Sequence, residues 1–337
     1  MVGFVRDLGV DLGAVNTLIY VEGQGVVLNE PSVVAVDRQS GRVVAVGSEA
    51  QRMLGRTPEH IIATRPLRGG VIADFTATAA MLKALLARAM PHRFGLRPRV
   101  VVCVPSGVTS VERRAVIEAA QAAGAGKVYL LEEPVAAALG AGLDIHEPRG
   151  HMVVDVGGGT TDIAVLSLGG IVHAVSARVG GDTFDEAIIR HVKQRYNVLI
   201  GERTAEAVKR AVGTAVPVPG DTREHEVRGR DLVTGLPRTL RLTPAEIYQA
   251  LEEPLLQVAT AIRGALERVP PELAADVLAR GVVLTGGGSL LEGMDRLITD
   301  VTGLAVIRPE EPLLSVVLGT GKALSMLDRL EGVLMAG

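Results

Sequence analysis

Two stretches of the chain carry the same polar residues at the same spacing. Val10-Asp11-Leu12-Gly13-Ala14-Val15-Asn16-Thr17 aligns with Val154-Asp155-Val156-Gly157-Gly158-Gly159-Thr160-Thr161 at an offset of 144 residues, with Asp, Gly and Thr coinciding at positions two, four and eight. Apolar residues at strand spacing flank both copies, so each predicts a strand, a tight glycine turn and a second strand. Such a turn brings main-chain N–H groups within reach of an anion, because no Cβ blocks the approach. The hydroxyls of Thr17, Thr160 and Thr161 add donors. A carboxylate repels phosphate, so Asp11 and Asp155 are expected to hold Mg2+ through its waters. Two hairpins of this kind facing each other would grip a polyphosphate from both sides. One copy alone would read more readily as a tight hairpin with an Asp-capped turn. The duplication, with a third glycine turn at Gly286-Gly287-Gly288, favours the ligand. Neither G-x-x-x-x-G-K-[ST] nor a strand followed by G-x-G-x-x-G occurs, which excludes P-loop NTPases and ordinary dinucleotide enzymes.

These turns need a frame to face each other, and the rest of the chain supplies one. Val100–Pro105 is a continuous apolar run of the kind found in strands buried on both faces. Thr109-x-x-Glu112 opens a helix as a capping box and Gly124 closes it. Met152–Val156 predicts another buried strand, Thr183-x-x-Glu186 a helix cap, and Thr243-Pro244-Ala245-Glu246 an N-cap with proline at the first helical position. Pro254 is expected to split the helical stretch 244–268. A weaker repeat matches Val100–Gly107 with Gly281–Gly288, both strands running into small-residue turns. Strands alternating with helices imply a largely parallel sheet wrapped by helices. Two excursions interrupt this grammar: 30–66, with short strands around a Gly41 turn, and the polar stretch 213–241, an irregular or small-subdomain segment. The helical stripe of Met81, Leu82, Leu85, Leu86 and Met90 is expected in the core.

Composition narrows the function classes. At 337 residues the chain is long enough for two domains or one bilobal unit. Thirty-five Lys and Arg against 38 Asp and Glu leave a net charge of −3, with no blanket field for nucleic acid. Four Phe, four Tyr and no Trp provide few stacking platforms for single strands. One cysteine, Cys103, excludes an internal disulfide and reads as a small buried hydrophobe rather than a nucleophile. The seven His lack metal spacing. No secretory signal is visible, and no apolar run approaches the roughly 18–20 residues that span a bilayer. The expectation is a cytoplasmic α/β protein.

DLGAVNT, DVGGGTTD and LTGGGSLL resemble the phosphate-1, phosphate-2 and adenosine motifs of the actin, sugar-kinase and heat-shock ATPase superfamily. NEPSVVAV, GGVIADF, VCVPSGVTSVERRA, EEPVAAALGAGL, GERTAEAVK and PPELAADVLARGVVLTGGGSLL further resemble the MreB/Mbl family of bacterial actins, from about Asp7 to about Leu327. The resemblance implies an actin-like ATPase fold: two duplicated lobes, each a ribonuclease H-like mixed sheet wrapped by helices, around a nucleotide cleft. Residues 1–31, 66–149 and 315–337 would form the first lobe core, with 32–65 its small subdomain. Residues 150–180 and 242–314 would form the second, with 181–241 its small subdomain. It also implies ATP and Mg2+ as cofactors, with Asp11 and Asp155 beside the metal. Gly13, Ala14, Val15, Asn16 and Thr17 would form the phosphate-1 turn, and Gly157, Gly158, Gly159 and Thr160 the phosphate-2 turn. Glu206 and Lys209 would meet ribose and adenine, and Gly286, Gly287, Gly288 and Ser289 would line the adenosine. Glu133, assisted by Thr160, would position the attacking water, although a Glu before Pro134 equally suits a helix dipole. The family usually reads DLGTANT where this chain has Ala14-Val15, and Asp162 stands in place of a more usual Glu.

The function implied is that of an ATP-hydrolysing actin that polymerises into filaments and organises cell-wall synthesis to keep a rod shape. Its expected partners are copies of itself in paired protofilaments, the inner face of the cytoplasmic membrane, and wall-elongation proteins such as RodZ and MreC, with no nucleic acid. The localisation expected is cytoplasmic and peripheral to that membrane. Two rivals share the fold. A small-molecule kinase needs a base for a substrate hydroxyl and larger insertions, and a heat-shock chaperone needs a peptide-binding domain beyond residue 337. A membrane anchor is expected at Phe94 and Leu96, apolar residues in a Pro/Gly-broken stretch with Arg93, Arg97 and Arg99. The segment before Asp7 is too short for an amphipathic helix, which shifts that duty to the loop.

Overall fold

The computed structural model describes residues 6–90, 97–327, 330 and 334–336. Its two principal sheets repeat one plan. In the first, the hairpin Leu8–Leu12/Asn16–Val21 continues into the antiparallel strand Gly25–Pro31 on one side. On the other side Val100–Val104 and Val128–Glu132 run parallel to Leu8–Leu12, and Met335–Ala336 closes the edge. In the second, the hairpin His151–Val156/Thr161–Ser167 continues into antiparallel Gly170–Ala177, while Val282–Thr285 and Val306–Ile307 lie parallel on the far side. The 144-residue repeat is therefore a duplication of topology, and the weaker repeat falls on the equivalent parallel strands Val100–Val104 and Val282–Thr285.

Burial explains why these segments are strands. Every residue of Val100–Val104, His151–Val156 and Thr161–Ser167 is buried, so β-branched and aliphatic side chains satisfy both faces. At about 1.5–3 kcal/mol for each fully buried aliphatic side chain, such strands anchor their sheets. Cys103 belongs to this layer, where burial pushes its thiol well above the ordinary value, as befits a packing residue.

The two sheets share one core cluster. It joins Val101, Cys103 and Leu131 of the first sheet to Val153, Ala164 and Leu166 of the second through the helices Glu133–Gly140 and Ser315–Leu324. Those helices approach backbone to backbone. A Cβ on Gly140 would overlap the Ser315 carbonyl, and one on Gly319 would overlap the Ala136 carbonyl. The small residues of EPVAAALG and SVVLGTGKAL are what permit this contact.

Local expectations fare unevenly. The Thr109/Glu112 capping box opens the helix Ser110–Ala122, and Thr243 caps Pro244–Leu266. Thr183, by contrast, lies inside Gly181–Tyr196, whose N-cap is Gly180; the helix starts earlier because its first turn is bonded into a loop of the cleft. Pro254 does not split the helix Pro244–Leu266. It removes one backbone hydrogen bond, but its ring is buried on the apolar stripe with Leu251, Leu255 and Val258, and that packing carries the helix across. The excursion near residue 40 forms the small sheet of Val34–Asp37, Val43–Val46 and Ile61–Thr64. The polar stretch 213–241 is largely regular: His225–Asp231 and Pro237–Leu242 make a hairpin that pairs with Val198–Leu199. The helix Phe75–Ala89 buries Met81, Leu82, Leu85 and Leu86 as its spacing predicts.

Candidate functional site

Both hairpin turns open into one cleft of about 630 Å³. Asp11 is the penultimate residue of its strand and Asp155 of its own, so each carboxylate stands just ahead of a glycine turn. The tips of the turns meet. A Cβ on Gly158 would run into the Val15 side chain, and one on Gly159 would lie 3.2 Å from Ala14 Cβ and 3.1 Å from the Gly69 backbone. Only glycines let the loops close to this distance while leaving N–H groups uncovered.

Each turn is braced from behind. Thr17 is fully buried, its hydroxyl 2.8 Å from that of Ser32, which donates to the Gly13 carbonyl at 2.6 Å. In the other turn Gly157 N–H donates to Thr160 O at 2.9 Å. Gly181 N–H and Asp182 N–H, at the start of the helix Gly181–Tyr196, donate to the carbonyls of Gly157 and Gly158 at 3.0 and 2.8 Å. The third glycine turn lies under Asp155. Gly286 has φ 81°, and a Cβ there would strike both the Asp155 carboxylate and the Val156 carbonyl. Ser289 is buried and donates to Gly286 O at 2.6 Å.

Asp11, Glu133 and Asp155 line the cleft, and Asp162 lies buried behind them, paired across the strands with Asp155. Burial pushes Asp11 up to about 7. Burial, reinforced by the Asp162 and Asp11 charges, pushes Asp155 up to about 8. Burial and the same three neighbours hold Glu133 well above the carboxylate range. So much buried negative charge without a counter-charge favours a bound cation. Asp155 Oδ1 is buried against Gly286 without a hydrogen-bond partner, which adds to the cost of ionising this carboxyl. Among the described residues no group of three acidic, His or Cys side chains could chelate an ion unaided. This donor set fits Mg2+, which retains several waters and takes further oxygens from a phosphate.

The far wall carries the charges. Lys209 pairs with Asp185 at 2.9 Å and donates to Gly181 O at 2.8 Å; burial lifts Asp185 to about 6 against that attraction. Arg65, from the first lobe, reaches Glu202 at 3.8 Å across the mouth, and Arg223 bridges Asp221 and Glu292. Of the residues named from sequence, Asp11, Gly13–Asn16, Glu133, Asp155, Gly157–Thr160, Glu206, Lys209 and Gly286–Gly288 line the cleft. Thr17 and Ser289 do not line it; their hydroxyls brace the turns from behind. Phe94 and Leu96 lie outside the described residues. Sequence reasoning missed Arg65, Asp182, Asp185 and Arg223, which line the same cleft. The Gly180-Gly181-Asp182 step into a helix was the available signal for two of them.

Comparison with known proteins follows this geometry closely. The family model for "MreB/Mbl protein" matches residues 5–332. The cell shape-determining protein MreB of Escherichia coli strain K12 is 55% identical over 332 residues, covering 96% of this chain and 95% of its own. The cell shape-determining protein Mbl of Bacillus cereus is 52% identical over 327 residues, 97% and 98% of the two chains. The crystal structure of Spiroplasma citri MreB 5 bound to AMPPNP superposes with a TM-score of 0.91 at 36% identity, covering 98% of this chain and 99% of that one. With this fold and the duplicated hairpins, the chain belongs to the MreB/Mbl family of actin-like proteins.

Proposed function

We propose that this chain binds ATP with Mg2+ in the cleft, hydrolyses it, and assembles with copies of itself into filaments that determine cell shape at the inner face of the membrane. One observation carries the reading: two duplicated glycine turns meet tip to tip, each just after a carboxylate that lines the same cleft. Relatives at 50–55% identity are cell shape-determining proteins, and the Spiroplasma neighbour binds AMPPNP, an ATP analogue. Membership of this family speaks against the kinase reading.

The chain's own residues have distinct tasks. N–H groups of the turns 13–16 and 158–160 would hold the phosphates of a bound nucleotide, one turn from each lobe; the Gly157 N–H is already taken by the Thr160 carbonyl. Asp11 and Asp155 would hold Mg2+ through its waters, and the ion would supply charge neutralisation on the phosphates. Glu133, at the cleft end of its helix, and the Thr160 hydroxyl would position a water for attack on the terminal phosphate. Glu206 and Lys209 face the nucleoside end.

Membrane attachment is proposed at Phe94 and Leu96, between the helix Phe75–Ala89 and the strand Val100–Val104. Arg99 contributes less there than its charge implies, because its Nε donates to Asp7 at 2.8 Å. No helix among the described residues is long and apolar enough to cross a membrane. Engagement of elongation proteins such as RodZ and MreC belongs to the same proposal. The test is sedimentation and light scattering with and without Mg-ATP. Filaments should form with nucleotide, and phosphate release should follow without any added acceptor. A chain that stays soluble and consumes ATP only with a small-molecule acceptor would overturn the reading.

A further inference from the structure

Among the described residues four cationic side chains line the cleft, and three of them belong to the second lobe. Lys209 is held by Asp185 and the Gly181 carbonyl, and Arg223 by Asp221 and Glu292. Arg210 stands exposed on the helix Glu202–Val212. Arg65 comes from the first lobe, and its backbone is fixed on both sides. Thr64 before it pairs with Val34 in the small sheet, and the carbonyl of Pro66 after it accepts the N–H groups of Ala73 and Asp74. The segment runs on to Gly69 and Gly70, which lie against Gly159 and Thr160 of the second glycine turn. Arg65 is close enough to Asp182 for its charge to oppose the rise that burial imposes on that carboxyl. The Asp182 N–H in turn donates to Gly158 O at 2.8 Å, so Arg65 stands beside the turn rather than at the nucleoside end.

This guanidinium is poorly partnered. Its one ion pair among the described residues joins Nε to Glu202 at 3.8 Å, beyond hydrogen-bond range, and the Glu202 side chain is 68% exposed. A pair of that kind contributes little. Nη1 is buried without a hydrogen-bond partner, a costly state for a charged donor. Glu202 does not itself line the cleft. We propose that Arg65 donates from the first lobe to the polyphosphate of the bound nucleotide, exchanging its exposed partner Glu202 for phosphate oxygens when the cleft fills. A guanidinium fork matches phosphate oxygens, and charge-assisted bonds to them are shorter and stronger than the pair given up. The first lobe then reaches the ligand with a charge as well as with the N–H groups of the turn 13–16. The inference rests on the reading that the cleft binds Mg-ATP.

The test is a double-mutant cycle on Arg65 and Glu202. It reads the Kd of a fluorescent ATP analogue with Mg2+ by equilibrium titration, and the Kd of adenosine by competition. Arg65→Ala should weaken the analogue about 10–100-fold and adenosine, which carries no phosphate, less than about twofold. Arg65→Lys keeps the charge without the fork and should fall between. Glu202→Gln should act in the opposite direction, tightening the analogue by up to about fivefold, because Arg65 loses its competing partner. In an Arg65→Ala background the same change should matter less than about 1.5-fold, which separates release of Arg65 from the mere loss of a negative charge near a polyanion. Should Arg65→Ala fail to melt cooperatively, Arg65→Met takes its place, keeping an aliphatic stem. A Glu202→Gln protein that binds more weakly would make the pair an interlobe clasp and overturn the inference alone. So would adenosine weakened in step with the analogue, or a Glu202 effect undiminished without Arg65. Wild-type protein that binds neither ligand would instead sink the Mg-ATP reading, and this inference with it.

Discussion

Replacing Asp155 by Asn should stabilise the nucleotide-free protein while weakening its response to Mg-ATP. The side chain is 5% exposed, and burial with the Asp162 and Asp11 charges pushes it up to about 8 from an ordinary 3.8. The folded chain therefore holds this proton more tightly than the unfolded chain does. Stability from this group is fully present below about pH 4 and is lost as pH rises towards about 8. At pH 7 the full linkage corresponds to roughly 4 kcal/mol, at about 1.4 kcal/mol per pH unit. Relaxation of the protein and water reduces such values, so about 1–3 kcal/mol is the working expectation. Asn is nearly isosteric and carries no charge to desolvate. The assay is thermal melting at low protein concentration in EDTA between pH 5.5 and 8. The Asn variant should melt higher than wild type, by about 2–4 °C per kcal/mol or somewhat less in a chain of this size, with the gap widening as pH rises. Mg-ATP at about a hundred times its Kd should then raise wild type by about 2.7 kcal/mol and the variant by much less, narrowing or inverting the order. A variant that melts lower than wild type at every pH, or that gains equally from Mg-ATP, would refute the reasoning.

Glu133→Ala should slow phosphate release by about 10²–10⁴ with ATP affinity nearly intact, whereas a parallel loss of affinity in an equilibrium titration would assign Glu133 to helix capping. Gly319→Ala should destabilise by about 1–3 kcal/mol or more, because its Cβ overlaps the Ala136 carbonyl. Gly264→Ala, on the long helix with nothing within 4 Å of the new Cβ, should stabilise by about 0.5–1 kcal/mol; chemical denaturation of both variants checks the contrast. Phe94→Ser/Leu96→Ser should abolish co-sedimentation of assembled protein with anionic liposomes, since two such side chains contribute about 3–6 kcal/mol of insertion. Undiminished pelleting of that variant would move the anchor elsewhere.

The duplicated hairpins were legible because glycine, Asp and hydroxyl positions recur with strand flanks, and a hairpin is specified locally. Their meeting was inferred from duplication; the tight fit of Gly158 against Val15 was not readable, because it depends on how two sheets join through Gly140 and Gly319. Boundaries failed where tertiary bonding overrode a local signal. Thr183 looks like a cap, yet the helix begins at Gly181 since the Gly157 and Gly158 carbonyls take its first N–H groups. Pro254 looks like a breaker, yet the apolar stripe around it outweighs one lost hydrogen bond. Within the site, glycines and motif acids were visible by type. Thr17 and Ser289 share that visibility but point away from the cavity, and a motif cannot say which way a hydroxyl faces. Arg65 and Arg223 were invisible, since each reaches the cleft from a region whose local pattern concerns its own small sheet or loop.

The most direct measurement is a crystal structure with AMPPNP and Mn2+, the metal located by its anomalous signal. The β- and γ-phosphates should lie between Gly13–Asn16 and Gly157–Thr160, and the ion should hold waters at roughly 2.1–2.2 Å that bridge to both Asp11 and Asp155. Phosphates bound elsewhere, or an ion more than one water removed from either carboxylate, would contradict the account.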